Sequence, residues 1–398
     1  MLRKIRWTVF VVCAVMVGVV LGQGVVCAEG YPGVSAESAI VMDCASGRVL
    51  YEKNAHEKRG MASTTKIMTA IVALERGNLQ DTVTVSNVAD AVEGSSMCLE
   101  AGEKISLENL VWGLMLLSGN DAATAIAEHI PGFVDLMNAK AAELGAVNTS
   151  FDNPHGLDSG KHYSTAHDMA LIARYGLTIP KFAEIVKTKA KKVTDVSGEH
   201  THYLSNHNRL LNLYPYANGV KTGFTKATGR CLVSSALKPD SGGSAGMQIV
   251  AVTLDAPSDW EDHMNMLNYA FNTYKLELIA SRGTDFGEVK VIGGSMKRVK
   301  LVAAQDFYFP EASPWLEGSA LTITHHVPEQ IKAPVKEGQV VGYVTVSVGG
   351  SEYGAYPLTA QEEVFRQFLF IRSYGKSFKG VTKQVFDSWF AMSVKSRG

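Results

Sequence analysis

Three short motifs in this 398-residue chain bring together residue types that are suited to nucleophilic catalysis. They occur in the order Ser63-Thr64-Thr65-Lys66, Ser118-Gly119-Asn120 and Lys221-Thr222-Gly223. The serine-to-lysine spacing of the first motif recurs at Ser235 and Ser373, so this spacing alone has little weight. The ordered set of three motifs is far more specific, and it predicts a single site.

The residue types indicate a serine nucleophile with a lysine base. A serine hydroxyl is a poor nucleophile until a neighbouring base takes its proton. Ser63 and Lys66 are three residues apart, so on a helix they share one face. A lysine acts as a base only when neutral, and burial together with a second cation, Lys221, would lower its pKa. Free backbone N–H groups at the start of a helix beginning at Ser63 would stabilise developing negative charge.

Hydrophobic periodicity predicts the elements that carry these motifs. We expect a β-hairpin over Ser38–Lys53 and two strands around Cys231–Val233 and Ile249–Val252, joined by the glycine-rich loop Ser241–Gly246. The predicted helices are Ser63–Glu75, one starting at Ser106, Asp121–Ile130, one between Pro131 and Gly145, one from Thr165 to Gly176, and Asp259–Tyr274.

The order of predicted helices and strands indicates an α+β fold, in which a β domain and a tail follow the catalytic domain. From Val289 to Leu358, short alternating runs punctuated by glycine and proline predict a small all-β sandwich. We place the catalytic domain at residues 29–280, the β-sandwich domain at 281–360 and a tail at 361–398.

The N-terminus has the features of an export signal. Basic residues fall within the first six positions, an apolar run spans Trp7–Leu21, and Val26-Cys27-Ala28 follows. We predict cleavage after Ala28, which makes residues 1–28 a signal peptide. An uncleaved anchor helix and lipid modification of Cys27 are the alternatives. The mature protein is then expected at the outer face of the cytoplasmic membrane or in the cell-wall space.

The tail at 361–398 has the pattern of a basic amphipathic helix. Its apolar stripe consists of Val381, Val385, Phe386, Trp389, Phe390 and Met392. Lysines lie off this stripe or at its ends. Aromatic residues on an apolar face suit a membrane interface, so we expect the tail to bind the membrane surface. A tail that packs on the β domain, or one left disordered, is the alternative.

Charge and cysteine usage exclude several classes of protein. A formal net charge of -1 gives no support for nucleic acid as a partner. Signal cleavage would leave Cys44, Cys98 and Cys231, an odd number that argues against a disulfide framework. We expect all three to pack as small apolar side chains. The cysteine spacings match no zinc site and no H-E-x-x-H sequence occurs, so we expect neither a metal nor another cofactor.

Longer stretches around the motifs resemble the penicillin-recognising serine enzymes, and among them the serine D-Ala-D-Ala carboxypeptidases of low molecular mass. The stretches are Ala62–Thr69, Leu117–Ala123, Asn153–Leu157, His162–Ala166 and Gly219–Thr225. The resemblance covers essentially the whole mature chain. It implies a β-lactamase/transpeptidase-like catalytic domain, peptidoglycan stem peptides as substrates, and β-lactams as covalent inhibitors.

Carried over to this chain, the resemblance implies three catalytic residues. Ser63 would attack the carbonyl between the two terminal D-alanines and become acylated. Lys66 would take the serine proton, and Ser118 would relay a proton to the departing D-alanine.

Five further residues would bind the substrate. Asn120 would hold the substrate backbone and orient Lys66, while Lys221 and Thr222 would bind the terminal carboxylate. Gly223 would let the substrate lie along the strand as an added edge. The backbone N–H groups of Ser63 and Phe224 would form the oxyanion hole.

Three alternative functions share these motifs. A β-lactamase needs a device for rapid deacylation, and the Glu-x-x-Leu-Asn pattern of class A enzymes is missing between the second and third motifs. A D,D-endopeptidase is chemically close and stays open. A non-catalytic sensor of cell-wall fragments or β-lactams would have no need of the full set of motif residues. His155, in one of the matched stretches, is as well explained by a structural role as by a catalytic one.

Overall fold

A computed structural model describes residues 31–239, 246–312, 321–348 and 351–367. The chain divides into two compact units. The first unit contains the described residues up to 278 and two short later parts of the chain. These parts are residues 308–312 and 321, and residues 348 and 351–354. The second holds 279–307, 322–347 and the described residues from 355 onward.

The first unit is built on a five-stranded antiparallel sheet with the order β2-β1-β9-β8-β7. Its strands are β1 (Ser38–Asp43), β2 (Val49–Lys53), β7 (Ala217–Thr225), β8 (Gly229–Lys238) and β9 (Met247–Leu254). Two small two-stranded sheets accompany it, formed by β3 (Thr82–Thr84) with β4 (Lys104–Ser106) and by β5 (Ala190–Thr194) with β6 (Thr201–Ser205). Strand β7 forms one edge of the large sheet, so its outer backbone groups are open to an added strand.

Helices cover both faces of this sheet. They are α1 (Lys66–Arg76), α2 (Asn87–Asp90), α3 (Leu107–Leu116), α4 (Asn120–His129), α5 (Phe133–Glu143), α6 (Ala166–Gly176), α7 (Pro180–Lys187), α8 (Leu210–Leu213) and α9 (Asp259–Thr273). Side chains alternate between the two faces of a strand. Accordingly Ile40 and Met42 of β1 join the core beneath α1, whereas Ala39 and Val41 join the core beneath α9.

Most helix predictions are confirmed, because local capping signals define the helix ends. The side chain of Ser106 accepts a hydrogen bond from the N–H of Asn109, and that of Thr165 accepts one from Asp168. The prediction that a helix begins at Ser63 is wrong in detail. Ser63 lies in a 3₁₀ turn over Ala62–Thr65, and the α-helix begins at Lys66.

The cause of the turn before α1 is local hydrogen bonding. The hydroxyl of Thr64 donates to the carbonyl of Met61 at 2.6 Å, and that of Thr65 donates to the carbonyl of Ala62 at 2.7 Å. The backbone N–H groups of Thr64 and Lys66 likewise donate to the carbonyls of Met61 and Ser63. These backbone bonds span three residues, which is the spacing of a 3₁₀ turn. Ala62 itself has a φ of 45°, so the chain reverses immediately before the serine.

The second unit is formed by strands, as the sequence predicts for this region. Its six-stranded sheet has the order β14-β16-β17-β12-β11-β15, with β11 and β15 parallel. The strands are β11 (Asp285–Ile292), β12 (Arg298–Ala303), β14 (Thr322–His326), β15 (Gln330–Lys332), β16 (Val340–Val348) and β17 (Ser351–Ala360). Strands β10 (Tyr274–Ala280) and β13 (Phe307–Ala312), most of whose residues belong to the first unit, form a separate two-stranded sheet.

Three of the predicted features lie outside the described residues. They are the signal peptide at 1–28, residues 241–245 of the glycine-rich loop, and the amphipathic stripe of the tail. Within the part of the chain that the structure describes, none of the helices combines the length and apolarity of a membrane span.

Candidate active site

Lys66 is the centre of the predicted site. Its side chain is completely buried at the first turn of α1. Its Nζ atom lies 3.0 Å from the Ser63 hydroxyl, 2.7 Å from Oδ1 of Asn120 and 2.6 Å from the carbonyl oxygen of His155. One amine therefore joins the first two motifs, which are 54 residues apart in the chain.

The surroundings of Lys66 favour its neutral form. Burial lowers its pKa well below 10.5, and the charge of Lys221 acts in the same direction. The carboxylate of Asp121 opposes this effect. Lys221 is itself buried, and burial lowers its pKa to about 7. An amine held at hydrogen-bond distance from a serine, and depleted of its proton in this way, is arranged to act as a general base.

The second motif occupies the loop between α3 and α4. Ser118 is buried with a φ of 61°, which turns the chain sharply before the helix. Its hydroxyl has no hydrogen-bond partner among the described residues, so it can form a hydrogen bond with a substrate. Asn120 is held firmly, because its Nδ2 donates to the carbonyl of Glu93 at 2.6 Å and its backbone N–H donates to that of Ser95 at 2.7 Å.

Asp121 is a positioning residue to which sequence reasoning gave no role. Its buried carboxylate accepts hydrogen bonds from the hydroxyl of Ser96 at 2.6 Å, from the N–H of Met97 at 3.0 Å and from the N–H of Leu99 at 3.1 Å. It thus organises the loop that also holds Asn120. The available signal was an acidic residue in the first turn of a helix directly after the motif asparagine.

Cys98, in this loop, does not pack as predicted. It is exposed and has a φ of 62°, whereas its neighbours Met97 and Leu99 are buried. The hydrogen bonds to Asp121 direct the neighbours inward and leave the cysteine outside. Of the other two cysteines, Cys231 is buried as expected and Cys44 is partly buried.

The third motif lies on the edge strand β7, directly beside the serine. A side-chain carbon at Gly223 would stand 3.0 Å from the backbone nitrogens of both Ser63 and Thr64. Only glycine allows the strand to come so close. Lys221 is buried with its Nζ donating to the carbonyl of Thr222 at 2.8 Å, while the side chain of Phe224 is 62% exposed.

The loop at Asn153–Leu157 supports the serine turn from its other side. A side-chain carbon at Gly156, whose φ is 93°, would lie 2.0 Å from the carbonyl oxygen of Ala62. His155 contributes its carbonyl oxygen to Lys66, and burial, followed by the charge of Lys66, lowers the pKa of its imidazole to about 4. The contact that matters at His155 is therefore a backbone contact, which no side-chain motif could reveal.

His162 fixes the same turn through its ring. Its Nδ1 accepts a hydrogen bond from the N–H of Asp152 at 3.1 Å. Nε2 must therefore carry the proton, and it donates to the hydroxyl of Thr65 at 2.7 Å. Burial lowers the pKa of this ring to about 4, so it is neutral at pH 7.

The predicted site residues lie in one region, but they interact with one another in different ways. Hydrogen bonds join Ser63, Lys66 and Asn120, and the backbone of Gly223 lies against Ser63. Lys221 acts on Lys66 through its charge. Among the described residues, no group of three or more histidine, cysteine, aspartate or glutamate side chains is placed to hold a metal ion.

The sequence models of two protein families match the chain. That of D-alanyl-D-alanine carboxypeptidase matches residues 26–258, and that of the penicillin-binding protein 5 C-terminal domain matches residues 274–366. The D-alanyl-D-alanine carboxypeptidase DacF of Bacillus subtilis is 34% identical, over 83% of this chain and 86% of its own length. DacC of Escherichia coli is 34% identical, over 90% of this chain and 92% of its own.

Solved structures agree with this match. Penicillin-binding protein 5 from Haemophilus influenzae superposes with a TM-score of 0.64 at 28% identity, covering 84% of this chain and 99% of its own. A mutant of the Streptomyces K15 DD-transpeptidase gives a TM-score of 0.57 at 34% identity and covers 61% of this chain. The expected α+β fold is thereby confirmed. This chain belongs to the D-alanyl-D-alanine carboxypeptidase family, and it is a serine peptidase.

Proposed function

We propose that this protein removes the terminal D-alanine from peptidoglycan pentapeptides through an acyl-enzyme at Ser63. The observation that carries the proposal is the position of Lys66, whose buried amine lies 3.0 Å from the Ser63 hydroxyl and 2.7 Å from Asn120. Serine supplies the nucleophile, and a lysine with a lowered pKa supplies the base.

In the acylation step, the serine oxygen replaces the terminal D-alanine on the carbonyl carbon of the penultimate D-alanine. Lys66 takes the proton of Ser63 as the serine oxygen attacks the carbonyl carbon between the two D-alanines. The carbon–nitrogen bond breaks, and the proton taken up by Lys66 passes through Ser118, whose hydroxyl has no partner among the described residues, to the departing nitrogen. The shortened peptide stays attached to Ser63 as an ester.

Substrate binding and deacylation use the residues around β7. The cation of Lys221 and the hydroxyl of Thr222 bind the terminal carboxylate, and Asn120 holds the peptide backbone. The N–H groups of Ser63 and Phe224 stabilise the oxyanion. Because only a backbone donor is needed at Phe224, its exposed side chain is compatible with this role. Water then attacks the ester, Ser63 regains its proton, and the peptide leaves one residue shorter.

A β-lactam acylates the same serine. Opening of the lactam amide by Ser63 leaves the antibiotic attached as an ester, so β-lactams are covalent inhibitors of this protein.

The decisive experiment measures D-alanine release from a pentapeptide ending in D-Ala-D-Ala, with the mature protein and Ser63→Ala side by side. Release that vanishes in the variant establishes both the activity and the nucleophile. Covalent penicillin binding without release would favour an endopeptidase or a sensor. No penicillin binding at Ser63 would overturn the site.

We further propose that the protein acts outside the cytoplasmic membrane and is held there by its tail. The proposal rests on the export signal at 1–28 and on the basic amphipathic pattern within 361–398. The domain boundaries at 29–280 and 281–360 belong to the same proposal. A chain truncated after Glu363 should keep its activity and leave the membrane fraction, and equal membrane binding by the truncated chain would contradict the anchor.

A further inference from the structure

The proposed function sets the direction in which a peptide lies along β7. Its terminal carboxylate is bound at Lys221 and Thr222, and its scissile carbonyl faces the N–H of Phe224. The residues before the D-alanyl pair must then continue past Thr225 towards the β7–β8 turn. At roughly 3.3 Å per residue in an extended strand, the residue preceding the pair reaches that turn.

A polar cavity of about 340 Å³ lies at this turn. Ala227 and Thr228 of the turn form one wall of it, and the chain just before the catalytic serine forms another. The charged side chains that line it are Lys58, Arg59, Asp158 and Asp255. Two cations and two carboxylates balance each other, so the cavity favours neither a purely anionic nor a purely cationic ligand.

Three of these charges, those of Lys58, Asp158 and Asp255, form no ion pair with another described residue, so they are available to a ligand. The ammonium of Lys58 lies over the ring of Tyr163 at 4.6 Å and forms no ion pair with another described residue. Asp158 accepts one hydrogen bond, from the hydroxyl of Thr228 at 2.6 Å, and likewise has no cationic partner among the described residues. Arg59 differs, because its guanidinium already contacts Glu57 at 2.6 Å.

The cavity is built on rigid neighbours. A side-chain carbon at Gly60 would lie 2.2 Å from Oγ1 of Thr228, so the serine segment and the β7–β8 turn are in direct contact. The N–H of Thr228 donates to the hydroxyl of Thr225 at 3.0 Å, which closes the turn. Opposite charges on one cavity that do not pair with each other are positioned to pair with a group that carries both.

We propose that this cavity is a subsite for the residue preceding the D-alanyl pair, and that it selects a side chain ending in both an ammonium and a carboxylate group. Lys58 pairs with the carboxylate and Asp158 with the ammonium. The inference rests on the proposed function, because the direction of the peptide along β7 comes from it.

The test compares three pentapeptides that differ only at the residue before D-Ala-D-Ala. That residue is meso-diaminopimelate, which carries both charges, lysine, which carries the ammonium alone, or norleucine, which carries neither. We expect kcat/KM for D-alanine release to fall in this order, by about tenfold from first to last, which corresponds to roughly 1.4 kcal/mol. Equal values for the three peptides would overturn the subsite.

Two variants assign the charges. Lys58→Gln should reduce the preference for the diaminopimelate peptide over the lysine peptide by about threefold or more. Asp158→Asn, which keeps an acceptor for Thr228, should reduce the preference for lysine over norleucine by a similar factor. Lys161→Gln is the matched control, because this exposed lysine of the same loop does not line the cavity. Unchanged preferences in both cavity variants would also overturn the subsite.

A competition assay separates this inference from the proposed function. Each peptide is used to slow the labelling of Ser63 by a fluorescent penicillin, which ranks peptide binding even without turnover. Absence of D-alanine release with the same ranking in competition would reject the carboxypeptidase activity and support the subsite. Release without any ranking would reject the subsite alone.

Discussion

Lys66 Nζ lies 3.0 Å from Ser63 Oγ because a 3₁₀ turn passes into an α-helix between these two residues. The amine is also held by Asn120 and by the carbonyl of His155. Three fixed contacts leave the amine little freedom, so its position relative to the serine is set before a substrate arrives.

Replacing Lys66 by methionine should separate activity from stability. We expect acylation by penicillin to fall by about 10³, because the general base is lost. The free energy of unfolding should change little, because the cost of burying an amine is relieved while its hydrogen bonds to Asn120 and His155 are lost. Stopped-flow acylation and urea denaturation measure the two effects.

Lys140→Met is the matched control for this variant. Lys140 is also buried, but it pairs with Glu75 at 2.9 Å and with Glu143 at 3.0 Å. Burial acts to lower its pKa, yet the hydrogen bonds to Glu75 and Glu143 raise it to about 12. We expect this variant to lose about 1–2 kcal/mol of stability and to keep its acylation rate. A large loss of stability in Lys66→Met would contradict the buried-base interpretation.

Substrate affinity should weaken as pH rises through the pKa of Lys221. Burial lowers that pKa to about 7, so the unliganded enzyme loses the cation above neutral pH. KM for a peptide with a free carboxylate should therefore increase above pH 7. The effect on kcat should be smaller, because the bound carboxylate keeps Lys221 protonated.

The same peptide with a C-terminal amide is the control for this pH dependence. It has no carboxylate, so its slower hydrolysis should lack the rise in KM above pH 7. Lys221→Gln should remove the rise for the acid peptide as well. An identical pH profile for the wild type and Lys221→Gln would show that another group is responsible.

A single methyl group at Gly223 should disable the site. Its carbon would stand 3.0 Å from the nitrogens of Ser63 and Thr64, and both of these atoms are backbone. We expect Gly223→Ala to slow acylation by one to two orders of magnitude, because a small displacement of β7 misaligns the oxyanion donors. Gly160→Ala, where the added carbon meets nothing within 4 Å, should acylate at the wild-type rate.

The protein should lose stability as pH falls below about 6.5. His263 is fully buried between Ser234 and Thr253, and burial lowers its pKa from 6.5 to about 3. Between these values the unfolded chain binds a proton that the folded chain does not, so the free energy of unfolding decreases with falling pH. The contribution of this one group is on the order of a few kcal/mol.

Urea denaturation at pH 7 and pH 4 measures this loss. His263→Gln should show a smaller decrease between the two pH values than the wild type, although it is less stable at pH 7. His56→Gln changes an exposed histidine and should show the wild-type decrease. An equal decrease in His263→Gln and in the wild type would assign the pH dependence to other residues.

Local patterns in the sequence determined the elements and the identity of the reactive groups. Capping serine and threonine at Ser106 and Thr165, and apolar residues at helical spacing, act within three or four positions of the chain, so the sequence contains the whole interaction. The ordered motifs likewise predict Ser63 as the nucleophile and Lys66 as its base, and the family resemblance adds Lys221 as the cation for the terminal carboxylate.

The sequence predicted Ser63, Asn120 and Lys221 as neighbours of Lys66, but only the tertiary structure showed the other groups around it. The carbonyl of His155 lies 89 positions away from it in the chain, and the loop that Asp121 organises crosses between separate helices. Every residue has a carbonyl, so no residue type marks this contact. The exposure of Cys98 and the reversal at Ala62 depend on the same long-range packing. The sequence shows which reactive side chains are present. The pKa of Lys66, in contrast, is lowered by burial and by the charge of Lys221, and both effects arise only when the chain folds.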